Sequence, residues 1–579
     1  MRLNRIARAC GVRHRSAGSP VSQSPVLMRA LACATGIAMT LSAAACSVLP
    51  TASSPHPFDV PTPSAEPVEV AAGGPAQGST PDMLVSDFLL ACAAGTTDDF
   101  AAARLYLTEK AAQTWQPTTM IQVYATASTP STQLQEGTGD VTTEVTAPAV
   151  ATIDANGVLT PSESGSQIAR SFHLVQEDGQ WRIDSLDDGV MVSEASLAAS
   201  HQLVSLYFPS NDGGALVPDP RWYPIRRLAT HLMEGLLAGP SQSIAPAVTS
   251  AIPEGVTLGA GGISVDNQVA SVALNGQVAP VQDPTELYWQ IYTTLTQSTS
   301  VTSVRIVSEG ATIEDLAVPL GPDYRMDSAV GISDTGFVSV SGNSTRLLLT
   351  PEQIGPDASK PAIGPTSDAA MAWVGQDTVY IADGDGGQVA HPVASPSWPS
   401  VDRFDMAWAT SSTTPGSPIY IMGLGGTYIE LPSPFDHSHT IHSVEVSPDG
   451  ARLALIRGVG TTRSVWVAPI VRDPQGVPTS VGTPIQVSAT SATVNDVSWA
   501  GTVTLVFDES ASDSSPQIRI EPLGGFGSTM PVPGEVEMIS GGATPSNIYI
   551  RTREGNLYSR SGSVWQAVGA PVREISYPG

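Results

Sequence analysis

Few residues of this 579-residue chain stand in patterns that do chemistry. Cys46, in "TLSAAACSVLP", is one of four cysteines, and its thiol could be alkylated, paired or buried. "FDHSHTIH" gathers Asp436, His437, His439 and His442. On a strand His437 and His439 would share a face and His442 would point away, so a connecting loop is expected there rather than a metal centre. "ADGDGG" places Asp383 and Asp385 like the start of a calcium loop, but Gly387 holds the fifth position and no Glu falls in register. A hairpin turn is the expectation. Asp184, Asp187 and Asp188 in "DSLDDG" read as a solvated turn, and His231 as a lone surface or half-buried histidine. No G-x-S-x-G, H-E-x-x-H or S-x-x-K pattern occurs. Neither Lys110 nor Lys360 follows a glycine, which excludes a P-loop. The sequence thus predicts no catalytic residue, no metal ligand and no cofactor; a hydrolase is the weakest reading.

The context of Cys46 is more informative. Residues 1–29 are basic and free of acids, and "ALACATGIAMTLSAAA" (30–45) is uncharged, apolar to small, and too short for a comfortable span. This is the pattern of a secretory signal, and a start at Met28 would give it a conventional length. The run Ala43-Ala44-Ala45-Cys46 resembles the lipobox of bacterial lipoproteins, with Leu41 two places early and Ala43 where Leu is preferred. The resemblance implies cleavage between Ala45 and Cys46, leaving Cys46 as an S-diacylglyceryl, N-palmitoyl cysteine that anchors the chain on the extracytoplasmic face of the cell membrane. Two or more acyl chains give lasting attachment, at about 0.8 kcal/mol per buried CH₂. An ordinary signal cleaved near Ala45, with a bystander cysteine, is the alternative. Residues 47–80, rich in Pro, Ser, Ala and Gly, read as a disordered tether.

The chain carries 27 basic and 54 acidic side chains, a net charge of −27. Six arginines and no acid lie before residue 46, so the remainder is more acidic still. Such a body is repelled by nucleic acid and by anionic headgroups, which sets aside a nucleic-acid role. Charged residues are only 14%, and Thr, Ser, Gly, Val and Pro dominate, as in extracytoplasmic β proteins. Cys10 and Cys33 fall inside the signal. Cys92 could pair with Cys46, but in "FLLACAAG" it reads as a buried free thiol.

The elements follow from periodicity. Over 81–200 an α+β domain is expected, of cystatin-like or NTF2-like arrangement. A helix starts at Pro81-Asp82 and stops at Gly95; a second runs through "DDFAAARLYLTEKAAQTW" from Asp98 or Asp99. Strands follow around 121–126, 140–153 and 167–176, with a hairpin at "EDGQ" flanked by Phe172, Leu174, Trp181 and Ile183. Trp181 is a sheet residue in this reading. Over 201–315 the order β-α-β-β-α-β is expected. Its first helix places Ile225, Leu228, Leu232, Gly235 and Leu236 on one face, its hairpin turns at Asp266-Asn267, and its second helix is capped by Asp283. Over 325–579 a motif recurs every 35 to 50 residues, with onsets such as "SAVGISDTG", "AAMAWVGQD", "HSVEVSPDG" and "VREISYPG". This predicts an all-β propeller of about six blades, the last onset completing the first blade.

Two resemblances join these pieces. "YFP", "LLAGPS", "AIPEG" and "VASVALN", in that order, are similar to the GerMN domain of spore-germination and envelope proteins, and "VSPDGARLALI" resembles the inner hairpin of TolB-like and WD40-like propellers. The whole order — lipobox, tether, α+β domain, GerMN-like domain, propeller — resembles the LpqB family of actinobacterial envelope lipoproteins. That resemblance implies a membrane-anchored, non-enzymatic accessory to the MtrA/MtrB two-component system, contacting the extracytoplasmic part of the sensor kinase in cell-wall homeostasis and division. A module binding cell-wall glycan or peptide is the alternative.

Overall fold

The computed structural model describes residues 73–579, apart from 127–130, 137–139, 164, 261, 277–283, 309–310, 460–461, 489–492 and 510–514. The signal segment, Ala45, Cys46, residues 47–72 of the tether and Asp283 lie outside the described residues. A helix over Pro81–Ala93 comes first, with Pro81 in its opening turn. It ends before Gly95, where any side chain would collide with the Phe100 ring. Leu84, Val85, Phe88, Ala91 and Cys92 form its buried face. Phe88 meets Trp115 at 5.4 Å and Phe172 at 5.9 Å between ring centroids. Cys92 is a free, buried thiol.

The expected second helix is two short ones, Ala101–Arg104 and Glu109–Thr114. The break has a tertiary cause. The strand Gln180–Ser185 captures the backbone between them: the Ile183 amide donates to the Tyr106 carbonyl (3.0 Å), and the Thr108 amide donates to the Ile183 carbonyl (2.9 Å). Thr108 then caps the second piece by accepting from the Ala111 amide. Asp98 accepts from the Ala102 amide, as a cap would.

The helices pack on a sheet built around the long strand Asp140–Asp154. That strand pairs with Met120–Tyr124, Ser131–Glu136, Leu159–Pro161 and Gln167–Glu177. Gln167–Glu177 and Gln180–Ser185 form the hairpin expected at "EDGQ", turning at Asp178-Gly179 with both φ positive, as the right-handed twist of the strands requires. Trp181 is half-buried on the sheet.

In the next domain the opening strand, His201–Pro209, does not join the main sheet. It pairs along its length with Leu216–Pro224 as a separate two-stranded ribbon. Pro218 and Pro220 leave the second strand without two of its amides, which suits an edge and not a central strand. The main sheet runs Thr257–Leu258, Val269–Asn275, Ser303–Ser308, Ala311–Glu314, with Ser264–Asp266 alongside Val269–Asn275. The hairpin turns at Asn267-Gln268, both at positive φ, one residue later than expected. Val269–Asn275 and Ser303–Ser308 are parallel, and the helix Pro284–Leu295 makes the crossover. The first helix spans Leu228–Ala238; Ile225 precedes it and is exposed, so only Leu228, Leu232, Gly235 and Leu236 of the expected face are buried.

The remaining strands form six sheets of at least four strands each, a six-bladed propeller. Its inner strands touch in a closed ring: Ala358–Ile363, Ser400–Val401, Thr440–Val446, Val497–Trp499, Val536–Gly541 and Glu574–Ser576. Glu574–Ser576 pairs with Ala329–Ser333 and so closes the first blade, as the last onset predicts. The repeat onsets mix two positions, however. Those at 328 and 369, and a further one at 404 ("FDMAWATSS"), are second strands: the first blade takes its inner strand from the C-terminus, and the inner strands of the second and third blades are interrupted by Pro361 or only two residues long. Trp373, Trp408 and Trp499 are fully buried. The Trp499 indole donates across a blade boundary to the Glu445 carbonyl at 3.0 Å.

Ile575 is completely buried at the closure. Ile575→Ala is expected to cost about 2–5 kcal/mol, read by chemical denaturation. Removing residues 574–579 should leave Ala329–Ser333 as an open edge and convert a cooperative thermal transition into aggregation, followed by light scattering.

Candidate functional site at the domain junction

The strand Leu216–Pro224 touches every part of the described body. Arg221 is 1% exposed; its Nη2 pairs with Asp219 Oδ2 at 2.6 Å, and its Nη1 donates to the Asn156 carbonyl of the N-terminal domain at 2.9 Å. Asp219 also accepts from the amide and hydroxyl of Ser241, both at 2.8 Å, so each carboxylate oxygen is satisfied. The Trp222 amide donates to the Gly157 carbonyl at 2.8 Å, and the Tyr223 hydroxyl donates to the Asn156 carbonyl at 3.1 Å. Gly157 has φ +79°, and a Cβ there would lie 2.6 Å from the Trp222 carbonyl; only glycine allows this approach.

The same strand grips the propeller. The Trp222 indole donates to the Gly524 carbonyl at 2.8 Å, and its ring packs on Phe526 at 5.5 Å. Arg452, buried and paired with Asp449, donates to the Pro218 carbonyl. Beside it Arg403 pairs with Asp212 at 2.5 Å, and Phe404 lies between the guanidiniums of Arg403 and Arg472, at 4.1 and 4.4 Å. Arg472 is itself held by the buried Asp402 at 2.7 Å.

A cleft of about 290 Å³ opens where the first two domains meet. One wall is apolar, from Cys92, Phe100, Ile121, Ile153, Val190 and Val192; the other comes from Trp222, Tyr223, Arg227 just before the helix, and the helix stripe His231, Gly235, Ala238. Gly235 lets Tyr223 lie against the helix, since a Cβ there would sit 2.2 Å from its hydroxyl. Burial pushes the Tyr223 phenol up to about 12 and the Cys92 thiol well above its ordinary value, so both stay protonated. His201 is pushed down to about 4, by burial first and by nearby His231 second. His231 stacks on Tyr223 at 6.2 Å and pairs with Glu234 at 3.2 Å.

The propeller axis holds a second group of ionisable residues. Glu445 accepts from the Ser498 hydroxyl at 2.8 Å, and burial pushes its carboxyl well up. Burial raises Asp496 to about 7, opposed by the Ile539 amide that donates to it at 2.8 Å. The space beside them is about 20 Å³, enough for one water. These acids staple neighbouring inner strands.

The residues singled out in the sequence are placed as follows. Asp436 and His437–His439 form the loop between the third and fourth blades, and only His442 is on a strand. His439 Nδ1 binds Asp436 at 2.6 Å and Nε2 binds Arg457, so both ring nitrogens are occupied. Asp383 accepts from the Asp385 and Gly387 amides at 3.0 and 2.7 Å, closing a hairpin. Asp184 accepts from Thr108, and Asp188 from the Gln116 amide. Among the described residues no group of three His, Cys, Asp or Glu could hold a metal ion. The cleft and junction residues His201, Asp219, Arg221 and Trp222 escaped sequence reasoning. The string "RWYPIRR" (221–227), aromatics interleaved with arginines, was the available signal.

Trp222→Ala is expected to cost about 3–5 kcal/mol and to split calorimetric unfolding into separate transitions as the propeller uncouples. His201 predicts a pH dependence. Free histidine takes its proton near 6.5, and His201 in the fold near 4. Between these values the unfolded chain binds more protons at this site, so the contribution of His201 to stability should fall as pH drops from about 6.5 to 4, opposite in sign to that of the buried carboxyls Glu445 and Asp496, whose proton affinity the fold raises. Urea titrations of the wild type and of His201→Phe across that window check this: the wild type should lose stability relative to the variant as the pH is lowered.

Comparison with known proteins places the three domains. Residues 74–198 match the family "Lipoprotein LpqB, N-terminal domain", 205–314 the family "Sporulation and spore germination" (Germane), and 336–578 the "Lipoprotein LpqB beta-propeller domain". Lipoprotein LpqB of Nocardia farcinica is 26% identical over 81% of this chain and 84% of its own. That of Bifidobacterium longum is 26% identical over 76% and 79%, and that of Streptomyces coelicolor 27% over 77% and 80%. Among solved structures, the tandem GerMN domains of GerM from Bacillus subtilis align at a TM-score of 0.17 and 16% identity, over 24% of this chain and 59% of that one. Both LpqB-specific domains flank a Germane domain in one chain, and the LpqB relatives align along most of its length: the chain belongs to the LpqB lipoprotein family.

Proposed function

We propose that this protein is a lipid-anchored, non-enzymatic binding protein of the extracytoplasmic membrane face. In this reading it is an accessory to a sensor kinase of the MtrA/MtrB type in cell-wall homeostasis and division. The observation that carries the reading is the junction strand Leu216–Pro224, which bonds to the N-terminal domain and to the propeller at once. A body joined this way presents surfaces of three domains in fixed relation, as a docking partner for another membrane protein needs. Residues 47–80 would let it reach that partner from an anchor at Cys46. LpqB relatives are named as lipoproteins, which supports the anchor. A second reading, a binder of cell-wall glycan or peptide, is favoured only by the cleft.

Mass spectrometry of the mature protein should find a diacylated or triacylated Cys46 as the first residue; an unmodified N-terminus would remove the anchor. Wild-type protein cross-linked in cells should enrich a membrane sensor kinase, and Cys46→Ala should lose most of that enrichment. Enrichment on purified cell wall, with no membrane protein recovered, would favour the second reading.

A further inference from the structure

The interdomain cleft has the size and lining of a small-molecule site, near the lower end of the roughly 300–1,000 Å³ such sites occupy. Its lining combines buried apolar side chains such as Phe100, Ile153, Val190 and Val192 with Asp99, Arg226 and Arg227, which are exposed at the rim. Three carboxylates line it, and all are engaged. Asp154 accepts from the Asn156 and Val158 amides, both at 2.9 Å; Glu234 pairs with His231; Asp99 faces Arg227 at 3.6 Å. The Asp99–Arg227 pair is loose and well exposed, so solvent screens it. Arg226 is exposed at the same rim and has no ion pair or hydrogen bond among the described residues. The helix Leu228–Ala238 begins here without a side-chain cap, which adds to the positive end.

The cleft histidine carries a fixed tautomer. Ser200 donates its hydroxyl hydrogen to the Ser196 carbonyl at 2.8 Å, so its oxygen must accept from His201 Nδ1 at 2.9 Å. The uncharged imidazole therefore keeps Nε2 as an acceptor, suited to a hydroxyl of a ligand.

We infer that the cleft between the N-terminal and Germane domains binds a small anionic amphiphile, its apolar chain against Phe100, Ile121, Val190 and Trp222 and its acidic head at Arg226 and Arg227. Fatty carboxylates and alkyl phosphates share this chemistry. The site stands whether or not a sensor kinase is the partner.

Titration of the full-length Cys46→Ala protein, which carries no acyl chain of its own, tests this by calorimetry below micelle-forming concentrations. The probes are decanoate, decyl phosphate, decyltrimethylammonium and inorganic phosphate. At least one of the two anionic amphiphiles should saturate a single site, and the tighter of them names the head group. The cation should bind about tenfold more weakly, and inorganic phosphate alone should give no saturable heat. Ala93→Trp, at a half-buried position of the cleft wall, should abolish binding with the melting temperature retained. Thr118→Trp, at an exposed rim position, serves if the first variant fails to fold. Arg226→Glu should erase the preference for anions. Equal binding of cation and anion, or undiminished binding in the folded filled variant, would overturn the inference.

Discussion

Arg221 and Asp219 lie two residues apart on one strand, both almost wholly withdrawn from water. A buried ion pair is costly unless every lone pair and proton finds a partner. Here the partners come from elsewhere in the body: the Asn156 carbonyl from the N-terminal domain, and the amide and hydroxyl of Ser241 from the loop after the first Germane helix. Of the pair's polar atoms only Arg221 Nε is left without a partner among the described residues; the contacts that are made fix the N-terminal domain and that helix relative to the strand. Trp222, next in sequence, extends the constraint to the propeller through Gly524 and Phe526. The cleft follows from this arrangement, since its two walls belong to domains that the pair holds apart and in register.

The features legible in the sequence were those decided locally. Pro81 marked a helix start, Asp178-Gly179 a twisted hairpin, and the alternating strands the propeller blades. The second helix could not be read, because its break is imposed by Ile183, far along the chain. The ribbon His201–Pro209 with Leu216–Pro224 was hidden for the opposite reason. Its strands look like members of a sheet until Pro218 and Pro220 are counted as missing donors. The blade onsets were mis-registered where inner strands are short or interrupted by proline, and there the second strands carry the Trp-rich signal. The site was least legible of all. His201 and Arg226 are unremarkable residues until two domains meet around them.

Two kinds of buried charge serve different ends in this molecule. Around the junction, arginines meet carboxylates and carbonyls, so charge is neutralised by a partner. At the propeller axis, Glu445 and Asp496 are held by hydroxyl and amide donors, and burial lifts their proton affinity. The first arrangement joins domains; the second joins neighbouring blades. Both keep a strongly acidic chain from concentrating unpaired negative charge in its interior.

The propeller closes by pairing Glu574–Ser576 with Ala329–Ser333, across almost the whole length of the domain. A chain made from its N-terminus delivers the other strands of the first blade long before the strand that completes it. Until that strand arrives, the first blade has no inner strand and the ring has a seam. Final folding is thereby timed to the completion of the chain, and its slow step is the non-local one.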